Sequence, residues 1–200
     1  MSAKEIIKAI EESDEGKFNS LVDKSKSPSL DSATLKSLHV GQMRIHTVDC
    51  TNTEWSACIF DGTTFDGVDL QGALFNACTF HDCTFSNAIL AETTFDGCVW
   101  QKGALQNAED MEAAEFVNCQ LKECALENLH FLDTIFTSVT LTKGAIKNVN
   151  GIADLKSVVL RDVEIDAFDT SEMTLTACTS SGCSTVPKGF STCEGRRRRV

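Results

Sequence analysis

Residues 58–80 read CIFDGTTFDGVDLQGALFNACTF, and a large apolar side chain occurs at every fifth position of this stretch from Phe60 onward. The same spacing extends in both directions. Eleven successive positions carry such a residue: Trp55, Phe60, Phe65, Leu70, Phe75, Phe80, Phe85, Leu90, Phe95, Trp100 and Leu105. A small residue lies two positions before each of them, and Gly, Asn or Asp is frequent two positions after. The chain is therefore built from a five-residue repeat, whose large apolar member we call the central residue.

This period fits neither an α-helix nor a continuous β-strand, whose side-chain patterns recur with periods of about 3.6 and about 2, respectively. A short strand followed by a corner fits it. The central residue and the small residue two positions earlier lie on the same face of the pleat, so both point inward. Gly, Asn and Asp tolerate the positive φ of a tight corner. Four units return the chain to its starting side, and successive coils are expected to stack at about 4.8 Å.

The run CIFDGTTFDGVDLQGALFNACTF resembles the pentapeptide repeat family, and the resemblance covers about residues 30–185. It implies an all-β solenoid, a right-handed four-sided parallel β-helix. We expect about seven coils, in a rod about 35 Å long at the spacing of paired strands. Nine phenylalanines at central positions dominate the predicted core: Phe60, Phe65, Phe75, Phe80, Phe85, Phe95, Phe116, Phe131 and Phe136.

The phase of the repeat changes twice along the chain. The first change lies in QNAEDMEAAE at 106–115, which adds one residue before the next central residue, Met111. The second lies in KNVNGIAD at 147–154, which drops one residue, or equivalently adds four, before Leu155. An inserted residue is expected to bulge outward, because the inward register resumes beyond it. Both sites are therefore predicted surface features.

The ends of the chain depart from the repeat, which divides it into three segments. Residues 1–28 are predicted to form a helical N-terminal cap, since apolar residues such as Ile6 and Ile10 recur at helical spacing. Residues 29–185 form the pentapeptide-repeat β-helix, and residues 186–200 form a C-terminal cap and basic tail. A cap is needed because the terminal coils of a solenoid expose apolar interior. Docking of a partner is the alternative role of the helical segment.

The C-terminal segment reads TVPKGFSTCEGRRRRV from residue 185 onward. Phe190 is a candidate plug for the last coil. The run Arg196–Arg199 is predicted to be a solvated tail, with contact to an acidic partner as the alternative.

Ten cysteines in 200 residues raise the question of disulfides or a zinc site. Nine of them occupy the small inward position, Cys50 occupies a central position, and none forms a CxxC pair. Free cysteine packs as a small buried hydrophobe, so we interpret them as core residues of a cytoplasmic protein. Cys58, Cys78 and Cys98 recur once per four units and are expected to stack as a ladder, which Cys119 continues.

The sequence carries no signature of a catalytic, cofactor or metal site. His39, His46, His81 and His130 lie beside central residues and are expected on the outer surface at no shared short spacing, with a metal or general-base role as the alternative. Paired carboxylates support catalysis only in a concave, partly desolvated site, and a narrow β-helix is expected to leave no pocket. No phosphate loop, nucleophile elbow or HExxH motif occurs. We therefore expect no enzyme, no cofactor and no metal.

The net charge of −11 argues against direct binding to nucleic-acid phosphates. No stretch resembles a membrane span or a secretion signal. Residues 49–133 hold fifteen acidic residues and only two lysines, a net charge of −13. These charges either keep a strand-rich surface soluble or imitate duplex DNA. The candidate interaction surface comprises outward acidic residues and those of the first phase change: Asp61, Asp66, Asp69, Asp82, Asp96, Glu109, Asp110, Glu112 and Glu115.

Three functions are open at this point. The first is a non-catalytic protein-protein interaction scaffold, whose partner contacts the flat strand faces and the 106–115 bulge. The second is an acidic DNA mimic that binds and modulates or protects a type II topoisomerase such as gyrase, as the family resemblance implies. Against it, residues 186–200 are polar, where gyrase-protecting members carry a hydrophobic dimerising helix. The third is a structural component of a larger bacterial assembly, oligomerised through the solenoid ends.

Overall fold

The computed structural model describes residues 3–25, 27–108 and 110–192. Two helices, Ala3–Glu11 (α1) and Glu15–Lys24 (α2), precede a parallel β-solenoid of about seven coils. The right-handed four-sided β-helix that we predicted from the repeat is confirmed.

The walls of the solenoid consist of 22 strands within the described residues, most of them three residues long. In chain order they are Thr34–Lys36 (β1), His39–Gly41 (β2), Arg44–His46 (β3), Glu54–Ser56 (β4), Ile59–Asp61 (β5), Thr64–Asp66 (β6), Leu74–Asn76 (β7), Thr79–His81 (β8), Thr84–Ser86 (β9), Thr94–Asp96 (β10), Val99–Gln101 (β11), Ala104–Gln106 (β12), Glu115–Val117 (β13), Gln120–Lys122 (β14), Ala125–Thr137 (β15), Thr140–Thr142 (β16), Ala145–Lys156 (β17), Val159–Arg161 (β18), Glu164–Phe168 (β19), Met173–Thr176 (β20), Thr179–Ser181 (β21) and Ser191–Thr192 (β22).

Each face of the solenoid stacks strands from successive coils in parallel. The first face contains β1, β4, β7, β10, β13, the end of β15, the end of β17 and β20. The second face contains β2, β5, β8, β11, β14, β16, β18, β21 and β22. The third face contains β3, β6, β9, β12, the starts of β15 and β17, and β19. The fourth face begins with single bridging pairs that link Ser29, Asp49, Asp69, Ile89 and Asp110.

Left-handed corners produce the five-residue period. From residue 57 to residue 107, the residue two positions after each central residue has a φ between 51° and 66°. Ala57 and Ala77 adopt this conformation although it costs a non-glycine residue about 1–2 kcal/mol. The backbone N–H at each corner donates to a carbonyl of the next coil, as Ala57 does to Asn76 at 2.9 Å. Stacking therefore holds the corners in place.

Central residues fill the interior in columns that run along the rod. The eleven central residues from Trp55 to Leu105 are at most 2% exposed. All nine phenylalanines of the predicted core are buried as well, with Phe136 the most exposed at 7%. On the first face, consecutive rings lie 4.9–5.9 Å apart and within 14° of parallel: Trp55, Phe75, Phe95, Phe116 and Phe136. Rings of adjacent faces meet edge to face, which is a favourable aromatic geometry.

The first phase change adds one residue between paired segments. Gln106 pairs with Ser86, whereas Asp110 faces Ile89, so the sequence separation between partners grows by one across this segment. The extra residue therefore lies between Gln106 and Asp110, and the inward register resumes at Met111, which is 1% exposed.

The second phase change removes one residue from a coil. Phe131 pairs with Gly151 and Thr134 with Ala153, so Leu132 and Asp133 face Ile152 alone. This site differs from an inserted bulge because the later coil is shorter. Gly151 has a φ of 104°, and a Cβ there would lie 2.1 Å from the carbonyl oxygen of Phe131. Only glycine allows the two coils to approach this closely.

The interior of the C-terminal coils is not completely filled. A cavity of about 40 Å³ lies there, and its lining is entirely apolar. The expectation that the β-helix leaves no pocket is wrong at this point, because the central residues after Phe136 are smaller than Phe or Trp. The lining includes Leu121, Phe131, Leu141, Leu155, Phe168 and Phe190.

The two helices cover the first coil of the solenoid. Ile6, Ile10 and Phe18 are at most 2% exposed and join its core. The helical segment also pairs with strand edges: the Gly41 N–H donates to Ser13 Oγ at 2.8 Å, and the Arg44 N–H donates to Glu15 Oε1 at 3.1 Å. Unpaired edge groups of the first coil are thereby satisfied.

At the C-terminal end, β22 pairs with β21 and extends the second face. Phe190 is 7% exposed and its ring centroid lies 6.4 Å from that of Phe168. The basic tail, Arg196–Arg199, lies outside the described residues.

Replacing Gly151 by Ala is expected to destabilise the fold by about 3 kcal/mol or more, since the added methyl meets the backbone of the adjacent coil and the φ is positive. Gly67→Ala is the matched control, because Gly67 has a φ of 61° and nothing within 4 Å of an added Cβ. We expect the control to lose only about 1 kcal/mol. Urea unfolding measures both, and equal losses would contradict the close coil approach at Gly151.

Candidate interaction surface

The predicted acidic residues are spread over all four faces of the rod rather than gathered on one. Glu109 lies outside the described residues. The others lie as follows: Asp96 and Glu115 on the first face, Asp61 on the second, Asp82 at the corner that follows it, Asp66 on the third, and Asp69, Asp110 and Glu112 along the fourth.

Asp66 acts as a link between three successive coils. It forms an ion pair with Arg44 of the preceding coil and accepts hydrogen bonds from Ser86 Oγ at 2.9 Å and Asn87 Nδ2 at 3.0 Å of the following coil. The hydrogen bond from Arg44, followed by those from Asn87 and Ser86, lowers the pKa of the Asp66 carboxyl below its ordinary value. Its charge is engaged within the protein, which makes it a poor candidate for binding a partner.

Asp69 and Asp110 stabilise the turns of the fourth face. Each carboxylate accepts the backbone N–H two positions later, from Gln71 at 3.0 Å and from Glu112 at 2.8 Å. This is the turn that aspartate side chains commonly form with their own backbone. Asp49, which we did not select from the sequence, does the same with Thr51 at 2.9 Å. The available signal was an aspartate directly before a central residue, which occurs in three of four successive coils, with Ile89 at this position in the remaining one.

Five of the predicted outward carboxylates have no lysine or arginine partner in the described part of the chain: Asp61, Asp82, Asp96, Glu112 and Glu115. Asp96 accepts one hydrogen bond, from Asn118 Nδ2 at 3.3 Å. These five carboxylates form what we call the open acidic set.

The charge along the chain is concentrated in the middle coils. Residues 1–48 hold seven acidic and seven basic residues, whereas residues 49–133 carry a net charge of −13. The lysine and arginine ion pairs that reach this middle section within the described residues use Lys36, Arg44 and Lys147, all from outside it. Most of its carboxylates therefore face solvent unpaired, which creates a negative potential around the rod.

The histidines lie on the outer surface, but they are not all isolated. His46 Nε2 lies 3.0 Å from Asn19 Oδ1 of α2, and His130 Nδ1 lies 2.6 Å from Asn150 Oδ1. His81 is brought together with Asp61 and Asp82, and one ligand atom from each of these three residues lies within 4.8 Å of the others. The expectation of unrelated surface histidines therefore does not describe His81.

The cysteines of the described residues face the interior as free thiols. Eight of the nine are buried, and Cys183 is half-buried. The predicted ladder is formed by Cys58, Cys78, Cys98 and Cys119, whose thiols donate to main-chain carbonyls, as Cys78 does to Trp55 at 3.2 Å. Burial raises the pKa of the Cys83 thiol to about 11. The Cys83 thiol is therefore protonated at neutral pH and a poor nucleophile.

The family model described as pentapeptide repeats (9 copies) matches residues 51–102. Residues 51–102 are therefore pentapeptide repeats. No curated protein matches it. Among the 3–25, 27–108 and 110–192 segments, no helix is long and apolar enough to cross a membrane.

Two solved structures are similar to this chain. A trypsin-treated variant of QnrB1, a plasmid-mediated fluoroquinolone resistance protein, is 17% identical over 80% of this chain and 92% of that chain, with a TM-score of 0.51. HetL from Nostoc sp. strain PCC 7120, involved in heterocyst differentiation regulation, is 12% identical over 78% and 82%, with a TM-score of 0.32. At this identity the likeness to QnrB1 concerns the fold alone.

Alkylation of the native protein with N-ethylmaleimide is expected to leave the eight buried cysteines unmodified and to modify Cys183 preferentially among the described cysteines, because a buried thiol is not accessible to the reagent. Peptide mass spectrometry locates the modified residues, and the same reaction in urea is the control in which every cysteine reacts. Modification of Cys78 or Cys98 as fast as Cys183 would contradict the inward ladder.

Proposed function

We propose that this pentapeptide repeat protein is a non-catalytic, cytoplasmic scaffold that binds another protein on the outer faces of its middle coils. The observation that carries the proposal is the open acidic set, which lies on a rigid surface and is not neutralised by lysine or arginine in the described part of the chain. A partner with a basic surface would neutralise these negative charges.

The interior supports a binding role over catalysis. The internal cavity is small, and only apolar side chains line it, so it offers no group for proton transfer or nucleophilic attack. The carboxylates of the open acidic set are half-buried or exposed, so general acid–base catalysis lacks the desolvated site that it requires there. The free thiols are compatible with a reducing compartment.

Apolar contacts are available beside the charges. Ile59 and Val99 are 46% and 39% exposed on the second face, and Leu132 and Ile152 are 39% and 44% exposed at the second phase change. Side chains of this kind supply contact area, whereas the carboxylates would accelerate and orient association.

The second candidate function is a DNA mimic that binds a type II topoisomerase such as gyrase. Residues 49–133 span about four coils, or about 20 Å at the spacing of paired strands, so their net charge is about one per 1.5 Å of rod. Duplex DNA carries one charge per about 1.7 Å. Carboxylates on all four faces favour this candidate, because the phosphates of DNA also surround its axis.

The test compares the natural chain with the variant Asp96→Lys/Glu112→Lys/Glu115→Lys, each immobilised as bait in a bacterial lysate. The control variant, Asp154→Lys/Glu164→Lys/Asp166→Lys, changes the total charge equally in the C-terminal coils. We expect the first variant to lose the partner at least tenfold while the control retains it, measured by quantitative mass spectrometry. Equal capture by all three proteins would overturn the role of the acidic section.

The dependence of partner binding on salt concentration distinguishes the two candidate functions. For a DNA mimic, capture should fall steeply between about 50 and 500 mM salt, because exposed charges are screened within the shrinking Debye length. Purified gyrase should then bind the natural chain and lose binding to the triple-lysine variant. A partner retained at high salt and unrelated to DNA would favour the general scaffold, and self-association through the solenoid ends would favour an assembly component.

A further inference from the structure

The second face carries a cluster of metal-ligating groups at one corner. Asp61 of β5 and His81 of β8 are paired neighbours in register, and Asp82 follows His81 at the corner. His81 Nδ1 lies 3.9 Å from Asp82 Oδ2, and the ligand atoms of all three residues lie within 4.8 Å of one another. The two aspartates belong to the open acidic set.

The orientation of the His81 ring is set by the next strand. Its Nε2 lies 2.8 Å from Oε1 of Gln101, the paired neighbour on β11. An amide oxygen only accepts, so Nε2 carries a proton and donates it, which leaves Nδ1 on the opposite side as the ring nitrogen available to a metal ion. Metal-binding histidines are typically held in this way, with the second ring nitrogen donating to an oxygen.

When Nδ1 carries no proton, all three groups offer lone pairs to a metal ion. Two carboxylates and an imidazole nitrogen lie together at one corner, and a cation could be coordinated by all three. Lys102 occupies the next corner along the rod, but no ion pair joins it to Asp82 in the part of the chain that the structure describes. The preceding corner is Gly62, which has no side chain, and Cγ of Gln42 would lie 3.2 Å from a Cβ at that position.

We propose that Asp61, His81 and Asp82 form a binding site for a divalent first-row transition metal, with Zn²⁺ as the natural probe. One imidazole nitrogen and two carboxylate oxygens are ligands that Zn²⁺ accepts at about 2.0–2.2 Å, with water in the fourth position. Mg²⁺ and Ca²⁺ are disfavoured because they prefer oxygen ligands alone. The half-buried to exposed side chains close around the ion by rotation, and the ion joins two successive coils.

The consequence for the protein is local. A bound Zn²⁺ cancels two of the negative charges in the middle section and links β5 to β8 through side chains rather than through the backbone. This site does not depend on the identity of the protein partner.

Zn²⁺ titration of the full chain by isothermal calorimetry tests the proposal, together with long-range proton–nitrogen NMR correlation of the histidine rings. We expect one ion per chain, with His81→Ala and Asp61→Asn each weakening binding at least tenfold. His39→Ala is the matched control, because His39 is an exposed histidine on the same face and should bind as the natural chain does. In the NMR spectrum, Zn²⁺ should shift Nδ1 of His81.

Co²⁺ supplies an independent readout, since thiolate ligands produce a strong ultraviolet charge-transfer band and nitrogen–oxygen sites do not. The proposal predicts no such band at one equivalent of Co²⁺. Absence of Zn²⁺ binding, unchanged affinity of His81→Ala, or a thiolate band at this equivalent would each overturn the site.

Discussion

A left-handed corner in nearly every repeat unit of the described residues is the constraint on which the rest of the solenoid depends. It divides the chain into short strands with one inward central residue each, and its N–H groups donate to the next coil. The backbone therefore needs a neighbouring coil to be satisfied, while the central residues need a neighbouring ring to stack on. Both requirements extend along the same axis, so stability grows from contacts between adjacent coils.

Much of this architecture was predictable, because inward and outward positions follow from the period alone. The phase changes could also be located, as the corner positions shift with them. The period does not show how completely the side chains fill the C-terminal coils. There, Leu, Ile and Gly151 occupy the positions that Phe and Trp occupy in earlier coils, and a small apolar cavity remains. The second phase change was located in residues 147–154, but the close approach of Gly151 to Phe131 depends on the shortened coil.

The roles of the acidic residues were harder to predict, since they depend on side chains one coil away. Asp66 and Asp69 have the outward placement that the repeat predicts, yet one bridges coils and the other closes a turn. Asp61 and His81 are separated by one coil and hence are paired neighbours, a relationship that comparison of positions one coil apart would have exposed. The outward surface thus combines structural carboxylates with the open acidic set, and only the latter supports the proposed binding.

The alternation of inward and outward side chains within a single short strand is the central claim of this account. Comparing Phe80→Ala with Thr79→Ala in urea unfolding tests it directly, because the two residues are adjacent on β8 and only Phe80 is buried among stacked rings. We predict a loss of about 3–5 kcal/mol for Phe80→Ala and less than about 1 kcal/mol for Thr79→Ala. Similar losses for both variants would contradict the five-residue register.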